Sequence, residues 1–99
     1  MRHAVFSDLA EADLADIWVS IATDDIDTAD RFLDELRALA QKLAELPHMG
    51  RVRADFGEQV RSFPYNDYLV IYRQQPDGIG IARVVHGRRD LRQIEVPKQ

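Results

Sequence analysis

The stretch from Gln59 to Leu91 reads QVRSFPYNDYLVIYRQQPDGIGIARVVHGRRDL. Its β-branched and aromatic residues cluster in three short runs, which is the composition that strands require. Turn signals separate the runs at Pro64–Asp67 and at Pro76–Gly78, because proline presets φ and glycine accepts a positive φ. The stretch therefore predicts three consecutive strands in an antiparallel meander, against which the rest of the chain packs.

The first half of the chain predicts one strand followed by two helices. Arg2–Phe6 is short and apolar, as a strand would be, and Ser7-Asp8 offers an N-cap, with Glu11 placed as in a capping box. Thr23–Asp25 separates the two helices and Pro47 stops the second. Apolar residues recur at helical spacing in both: Ala10, Leu14, Ile17, Trp18 and Ile21, then Ala29, Phe32, Leu33, Leu36, Ala40, Leu43 and Leu46. So short a link predicts an antiparallel αα-hairpin whose aromatic residues belong to the core.

The remaining segments lack such patterns. Residues 47–58 are interpreted as a loop and residues 92–99 as a polar, frayed tail. The chain is therefore predicted to be a single α+β domain over residues 1–99, with an N-terminal strand and an antiparallel αα-hairpin packed on a three-stranded antiparallel meander.

The predicted sheet is apolar on both of its faces. Strict alternation places Leu69 and Ile71 opposite Tyr68, Val70 and Tyr72, and places Ile79, Ile81 and Val85 opposite Ala82 and Val84. A helical hairpin covers only one face of a sheet, so the other face must be covered by the chain's own ends or by a partner.

Composition limits the function classes. The chain of 99 residues has no cysteine, which excludes disulfides and cysteine-ligated zinc. Its net charge is −4, with four basic and eleven acidic residues in positions 1–50 and nine basic and six acidic residues in positions 51–99. The acidic half argues against nonspecific binding of nucleic acid by the whole molecule. No signal peptide or membrane span is recognisable, so we expect a cytoplasmic protein.

The second half offers the candidates for chemistry. His86 follows a predicted strand and could serve as a general base, while Arg61, Arg73 and Arg83 could supply cations. Strand alternation separates Arg83 from His86 unless a bulge intervenes, and a structural role for His86 at the strand end is the other interpretation. No spacing of histidines and carboxylates predicts a metal site, and no glycine-rich loop predicts a cofactor.

At this point the chain resembles the RelE/ParE superfamily of bacterial toxins over about residues 4–92. The resemblance is carried by Ala10-x-x-Asp13-Leu14-x-x-Ile17-Trp18, Pro47-x-x-Gly50-Arg51, Val60-Arg61-Ser62-Phe63-Pro64, Tyr68–Arg73 and Arg83–Leu91. The ending Arg-Val-x-His-Gly-x-Arg-Asp looks like the ParE branch. That branch implies inhibition of DNA gyrase, without catalysis by the toxin itself, and contact with DNA only through gyrase or an antitoxin.

The RelE branch implies the alternative, a ribosome-dependent endoribonuclease that cleaves messenger RNA with basic residues and often with a C-terminal tyrosine or histidine. Arg61 and His86 would be the catalytic residues of such an enzyme. No aromatic residue follows Tyr72, however, and no lysine precedes Lys98 in the second half of the chain. A degenerate toxin that only regulates its antitoxin is a third interpretation.

The resemblance also implies a ParD-like antitoxin, whose flexible, acidic C-terminal segment would fold onto the toxin and form a hetero-oligomer with it. We assign target binding to the basic end of the last predicted strand, namely Arg83, His86, Arg88 and Arg89. Contacts with the antitoxin are assigned to Asp55, Glu58, Arg61 and Arg73.

Overall fold

A computed structural model describes residues 2–98 and contains two α-helices and five strands. The helices are α1 (Asp8–Ala22) and α2 (Ile26–Glu45); the strands are β1 (His3–Phe6), β2 (Arg51–Val52), β3 (Val60–Tyr65), β4 (Tyr68–Gln75) and β5 (Gly78–His86). The sheet order is β1-β5-β4-β3-β2, in which β1 runs parallel to β5 and all other neighbours are antiparallel. The predicted α+β class, hairpin and meander are confirmed.

Both turns of the meander lie within the predicted segments, although Pro64 and Tyr65, predicted as turn residues, belong to β3. Asn66 adopts a φ of 52° between β3 and β4, in the left-handed region that asparagine tolerates. Gly78 has a φ of 143°, and a Cβ at this position would collide with the backbone of His3 in the neighbouring β1. Glycine here is therefore required both by the turn and by the close approach of β1.

The helices begin at side-chain caps. The Ser7 hydroxyl accepts from the Ala10 amide at 3.0 Å, and the Asp25 carboxylate accepts from the Asp27 amide. Because the N-cap is Ser7, the predicted capping box with Glu11 is wrong by one residue, and Glu11 pairs with Arg37 on α2 at 3.4 Å instead.

The main core lies between the helix hairpin and one face of the sheet. Its buried side chains come from one stripe of each helix and from the two strands β4 and β5: Ala10, Leu14, Ile17, Phe32, Leu36, Ala40, Leu43, Ala44, Val70, Tyr72, Ile79, Ile81 and Val84. Phe32 belongs to this core as predicted, whereas Trp18 is half-buried. Leu46, predicted to extend the apolar stripe, is 53% exposed because it follows the last helical residue.

A β-bulge at Ala82 changes the predicted facing of β5. Ile81 pairs with Tyr72 and Arg83 pairs with Ile71, so Ala82 is the extra residue. As a result Val84 faces the helices and Val85 the opposite face, and the strict alternation predicted for these two valines is wrong.

The sheet face opposite the helices, here called the outer face, is covered by the C-terminal segment 91–97, here called the C-terminal strap. Leu91, Ile94 and Val96 pack on an outer cluster, whose buried members are Val60, Ile71, Ala82 and Val85. The predicted frayed tail is therefore wrong: its few apolar residues are spaced to meet the sheet. The sequence left open whether the chain's own ends or a partner would cover this face, and in the structure the C-terminal strap covers it.

The segment predicted as a loop contains two short 3-10 turns, Pro47–Met49 and Ala54–Phe56, and the two-residue strand β2 between them. Strand β2 pairs with Ser62 and Arg61 at the edge of β3. A two-residue strand has no periodicity, which is why the sequence pattern did not indicate it. No helix in the described part of the chain is both long and apolar enough to cross a membrane.

Candidate functional site

The end of β5 forms a tight turn over His86–Arg89, here called the arginine turn. Three successive backbone amides are bound within it: Gly87 N–H donates to Asp67 O at 2.8 Å, Arg88 N–H to His86 Nδ1 at 3.1 Å, and Arg89 N–H to His86 O at 3.0 Å. The His86 ring also stands edge-on to Tyr68, with 5.3 Å between ring centroids. The backbone of the turn is thereby fixed to the hairpin between β3 and β4.

The side chains of Arg88 and Arg89 are exposed on this fixed backbone. Neither guanidinium takes part in any hydrogen bond or ion pair found within residues 2–98. The nearest acid in sequence, Asp90, is bound by Arg92 at 3.1 Å, a contact that lowers the pKa of the Asp90 carboxyl. The arginine turn therefore presents two adjacent guanidinium groups that make no ion pair within residues 2–98.

A small cleft of about 210 Å³ adjoins the arginine turn. It lies between α1 and the end of β5, and its polar lining includes Asp16, Ser20, His86 and Arg89. The cleft is open and shallow, which suits contact with a macromolecular surface more than enclosure of a small molecule.

Arg83, which we also assigned to the target, is placed differently. The Arg83 residue is only 7% exposed, and its guanidinium makes a bidentate pair with Asp13 of α1 at 2.8 and 2.9 Å and donates to Glu95 O of the strap at 2.8 Å. The hydrogen bond with Asp13 raises the pKa of the Arg83 guanidinium. In this conformation all of these donors are used within the chain, and we call the three-part contact the arginine clasp.

Asp13 also accepts a hydrogen bond from the backbone of β5. Strand β1 ends at Phe6, so β5 has no strand neighbour beyond Ile81 on that side. The Ser7 hydroxyl donates to Ala82 O at 2.7 Å, and the Asp13 carboxylate accepts from the Val84 amide at 2.9 Å. The start of α1 thus replaces the missing strand, a role for Asp13 that sequence spacing alone did not reveal.

Arg61 and His86, the pair considered for ribonuclease chemistry, are not brought together. Arg61 pairs across the sheet with Tyr72, and His86 with Tyr68. Their partners Tyr72 and Tyr68 are four residues apart along β4, and β3 and β5 lie on opposite sides of β4. The Cα atoms of Arg61 and His86 are therefore about 16 Å apart. Arg61 instead contacts Gly50 O at 2.8 Å and His48 Nδ1 at 3.0 Å.

The residues that we assigned to the antitoxin are also engaged within the chain. Arg73 donates to Glu58 O at 3.0 Å and to Pro97 O of the strap at 3.2 Å, while Asp55 pairs with Arg53 at 2.9 Å. The Arg53 side chain holds the pKa of the Asp55 carboxyl below its usual range. No observation tests these four assignments, which stay predictions.

A second concave surface, which we did not predict as a site, lies across the two helices. This hairpin groove has a volume of about 500 Å³ and is lined by Glu11, Leu14, Ala15, Trp18, Val19, Leu33 and Arg37. Val19 is 61% exposed, and the Trp18 indole N–H is bound by Asp30 at 2.9 Å. The signal for it was present in α1, whose apolar residues extend beyond the single buried stripe.

Within residues 2–98, no group of three or more histidine, aspartate or glutamate side chains is arranged to hold a metal ion.

Comparison with known proteins gives consistent matches. The family model described as "ParE toxin of type II toxin-antitoxin system, parDE" matches residues 4–91. Toxin ParE3 of Caulobacter vibrioides is 29% identical over 59 residues, which are 60% of this chain and 59% of that protein. The match therefore spans less than two thirds of that relative.

A solved chain titled "Chromosomal ParDE TA system from P. aeruginosa" has the same fold, with a TM-score of 0.72. The superposition covers 87% of this chain and 96% of the other, at 18% sequence identity. At so low an identity the match supports the fold alone.

Proposed function

The chain belongs to the ParE toxins of type II toxin–antitoxin systems, and from this premise we propose that it inhibits growth by binding DNA gyrase in the cytoplasm through the arginine turn. The observation that carries the proposal is the pair Arg88 and Arg89, exposed on a fixed backbone and without an ion pair within residues 2–98. Paired guanidinium groups bind carboxylates and phosphates with defined geometry. The turn is thus suited to an acidic protein surface or to the phosphates of DNA held by gyrase.

A binding role agrees with what surrounds the turn. The Cα atoms of Arg61 and His86 are about 16 Å apart, and the Arg61 guanidinium is bound to Gly50 O and His48 Nδ1, which disfavours joint action of the two residues on one phosphate. The net charge of −4 also disfavours free nucleic acid as the primary partner. We therefore favour inhibition by binding over cleavage of RNA.

We further propose that a ParD-like antitoxin neutralises the toxin by covering the hairpin groove. The groove combines an apolar floor, including Trp18 and Leu33, with Arg37 at its rim, where an exposed ion pair with Glu11 would have to exchange partners. An acidic amphipathic segment could bury apolar side chains on this floor and place a carboxylate near the arginine. The outer face is less suitable because the strap already occupies it.

The test of target binding is a gyrase supercoiling and DNA-cleavage assay with purified toxin. We expect the wild-type protein to inhibit supercoiling and to trap cleaved DNA. The double variant Arg88→Ala/Arg89→Ala should lose at least tenfold in potency, because each lost charged contact with a partner costs about 1.5–3 kcal/mol.

The matched control is Arg2→Ala/Arg51→Ala, which removes the same charge from two exposed arginines elsewhere and should keep wild-type potency. Unchanged supercoiling at saturating wild-type toxin would overturn the proposal. Primer extension on translated messages would then test the ribosome as the target.

The test of the antitoxin surface uses two equally exposed valines. Val19→Glu places a like charge in the path of an acidic antitoxin segment and should weaken antitoxin binding at least tenfold without loss of toxicity. Val5→Glu, at a residue with the same 61% exposure, is the control and should bind normally. Equal affinity of both variants, measured by calorimetry, would move the antitoxin interface away from the groove.

A further inference from the structure

His86 makes a side-chain hydrogen bond at the end of β5, which is the structural role considered for it from the sequence. Its imidazole Nδ1 lies 3.1 Å from the backbone nitrogen of Arg88. A backbone N–H can only donate, so Nδ1 must be the acceptor and carry a lone pair. A neutral ring that accepts at Nδ1 carries its hydrogen on Nε2.

The His86 ring and the backbone of the arginine turn are both held by further contacts. Tyr68 packs edge-on against the imidazole, and the His86 carbonyl binds the Arg89 amide at 3.0 Å. Gly87 is held against Asp67 O at 2.8 Å on the other side. Among the three hydrogen bonds of the turn, only the bond to the Arg88 amide depends on the identity of a side chain.

We propose that His86 is a positioning residue: its Nδ1 atom, acting as a neutral hydrogen-bond acceptor, fixes the backbone from which Arg88 and Arg89 reach the target. This inference rests on the proposed function for the role of the two arginines. It assigns His86 neither proton transfer nor direct contact with the target. The ring acts as the side-chain acceptor of an Asx-type turn does, two residues before the amide that it binds.

Two substitutions of His86 distinguish this positioning role from direct contact with the target and from proton transfer. In His86→Asn the side-chain oxygen occupies nearly the position of Nδ1, so the acceptor is kept. In His86→Gln the oxygen lies nearer to the position of Nε2, so the acceptor is displaced from the Arg88 amide. Neither amide side chain titrates, and both remove the ring that packs on Tyr68.

The first measurement is made on the toxin alone, by NMR of the ¹⁵N-labelled protein. The Arg88 amide should keep its hydrogen-exchange protection in His86→Asn to within about threefold and lose at least tenfold in His86→Gln. His86→Phe, which keeps an aromatic ring but no acceptor, should resemble His86→Gln. Melting curves establish that each variant is folded.

The second measurement is gyrase inhibition by the same variants. We expect His86→Asn to keep potency within about threefold of wild type, and His86→Gln and His86→Phe to lose tenfold or more. Glutamine that outperforms asparagine would indicate direct contact through Nε2. Equal loss in both amide variants, with the Arg88 amide unchanged, would indicate proton transfer; either result overturns the proposal.

The two proposals can fail separately. If wild-type toxin does not inhibit gyrase, the proposed target is wrong, and growth arrest on expression replaces gyrase inhibition as the readout for the same variants. An Arg88 amide equally protected in wild type and His86→Gln would overturn the positioning role even if gyrase is inhibited.

Discussion

Two groups of arginines in the second half of the chain have opposite surroundings. Arg73 and Arg83 extend over the outer face, and their guanidinium groups bind carbonyl oxygens of the C-terminal strap. Arg88 and Arg89, a few residues further along, are exposed, and their guanidinium groups bind nothing within residues 2–98. The same residue type thus stabilises the fold in one place and is left free for a partner in the other.

The difference follows from the end of β5. Arg83 lies within the strand next to the bulge, where α1 and the strap converge on it. Arg88 and Arg89 lie beyond the end of the strand, where the backbone turns and both residues are exposed. Four predictions, ordered by their expected effect on stability, test this division.

The largest effect is expected for Asp13→Ala, which removes the carboxylate of the arginine clasp. The variant leaves Arg83 charged and buried and the Val84 amide without an acceptor, so the free energy of unfolding should fall by roughly 3–5 kcal/mol. Urea denaturation measures this loss. Asp34→Ala, at an exposed position on α2, is the control; equal stability of the two variants would contradict a stabilising role of the clasp.

A smaller loss, about 2–4 kcal/mol, should follow truncation after Asp90, because the partly buried strap residues Leu91, Ile94 and Val96 no longer cover the outer cluster. The truncated protein should also bind a hydrophobic dye that the full chain does not. A chain that ends at Pro97 keeps the strap and serves as the control. Unchanged stability and no dye binding after truncation would show that the strap is not a cover.

For Arg73→Ala we expect a destabilisation of about 1–2 kcal/mol, the usual range for charge-assisted hydrogen bonds at a partly exposed site. The variant loses the contacts with Glu58 O and Pro97 O, which connect β4 to the strap. Arg51 is exposed, and its side chain makes no such contact within residues 2–98; Arg51→Ala should therefore change stability by less than about 0.5 kcal/mol. A loss of similar size in both variants would remove the distinction between engaged and free arginines.

The smallest effect on stability belongs to the variant with the largest expected effect on activity. Arg88→Ala/Arg89→Ala should unfold at the same urea midpoint as wild type, within about 0.5 kcal/mol per substitution. The turn keeps its shape because its hydrogen bonds use backbone groups and His86. A substantial loss of stability would mean that these arginines contribute to the fold.

The sequence predicted the elements better than it predicted their contacts. Helix periods, Pro47 and the turn at Pro76–Gly78 are local signals, and each of them appears in the structure. The bulge at Ala82 is not local, because it depends on how β4 and β5 align. Because of that single extra residue, Val84 faces the helices and Val85 faces the strap, whereas strict alternation predicted the reverse.

The contacts of Arg83 and of the C-terminal strap were also hard to predict, because they too are not local in sequence. Arg83 looked like a surface cation because nothing in its neighbourhood of the sequence indicates Asp13, which lies 70 positions away. The strap looked polar because only every second or third of its residues is apolar. Arg88, Arg89 and His86 were proposed as site residues because a strand end followed by glycine is itself a local pattern, and their roles stay predictions. The acceptor position of the His86 ring required the geometry of the turn.

The parallel pairing of β1 with β5 has a consequence for synthesis of the protein. The bond from Ser7 to Ala82 joins residues 75 positions apart, and the clasp joins residues 70 positions apart. Strand β1 must therefore wait for β5, and contacts of this range make folding slow. We expect no folded sheet before residues 78–86 have left the ribosome, so that any activity of the fold begins only after β5 has been synthesised.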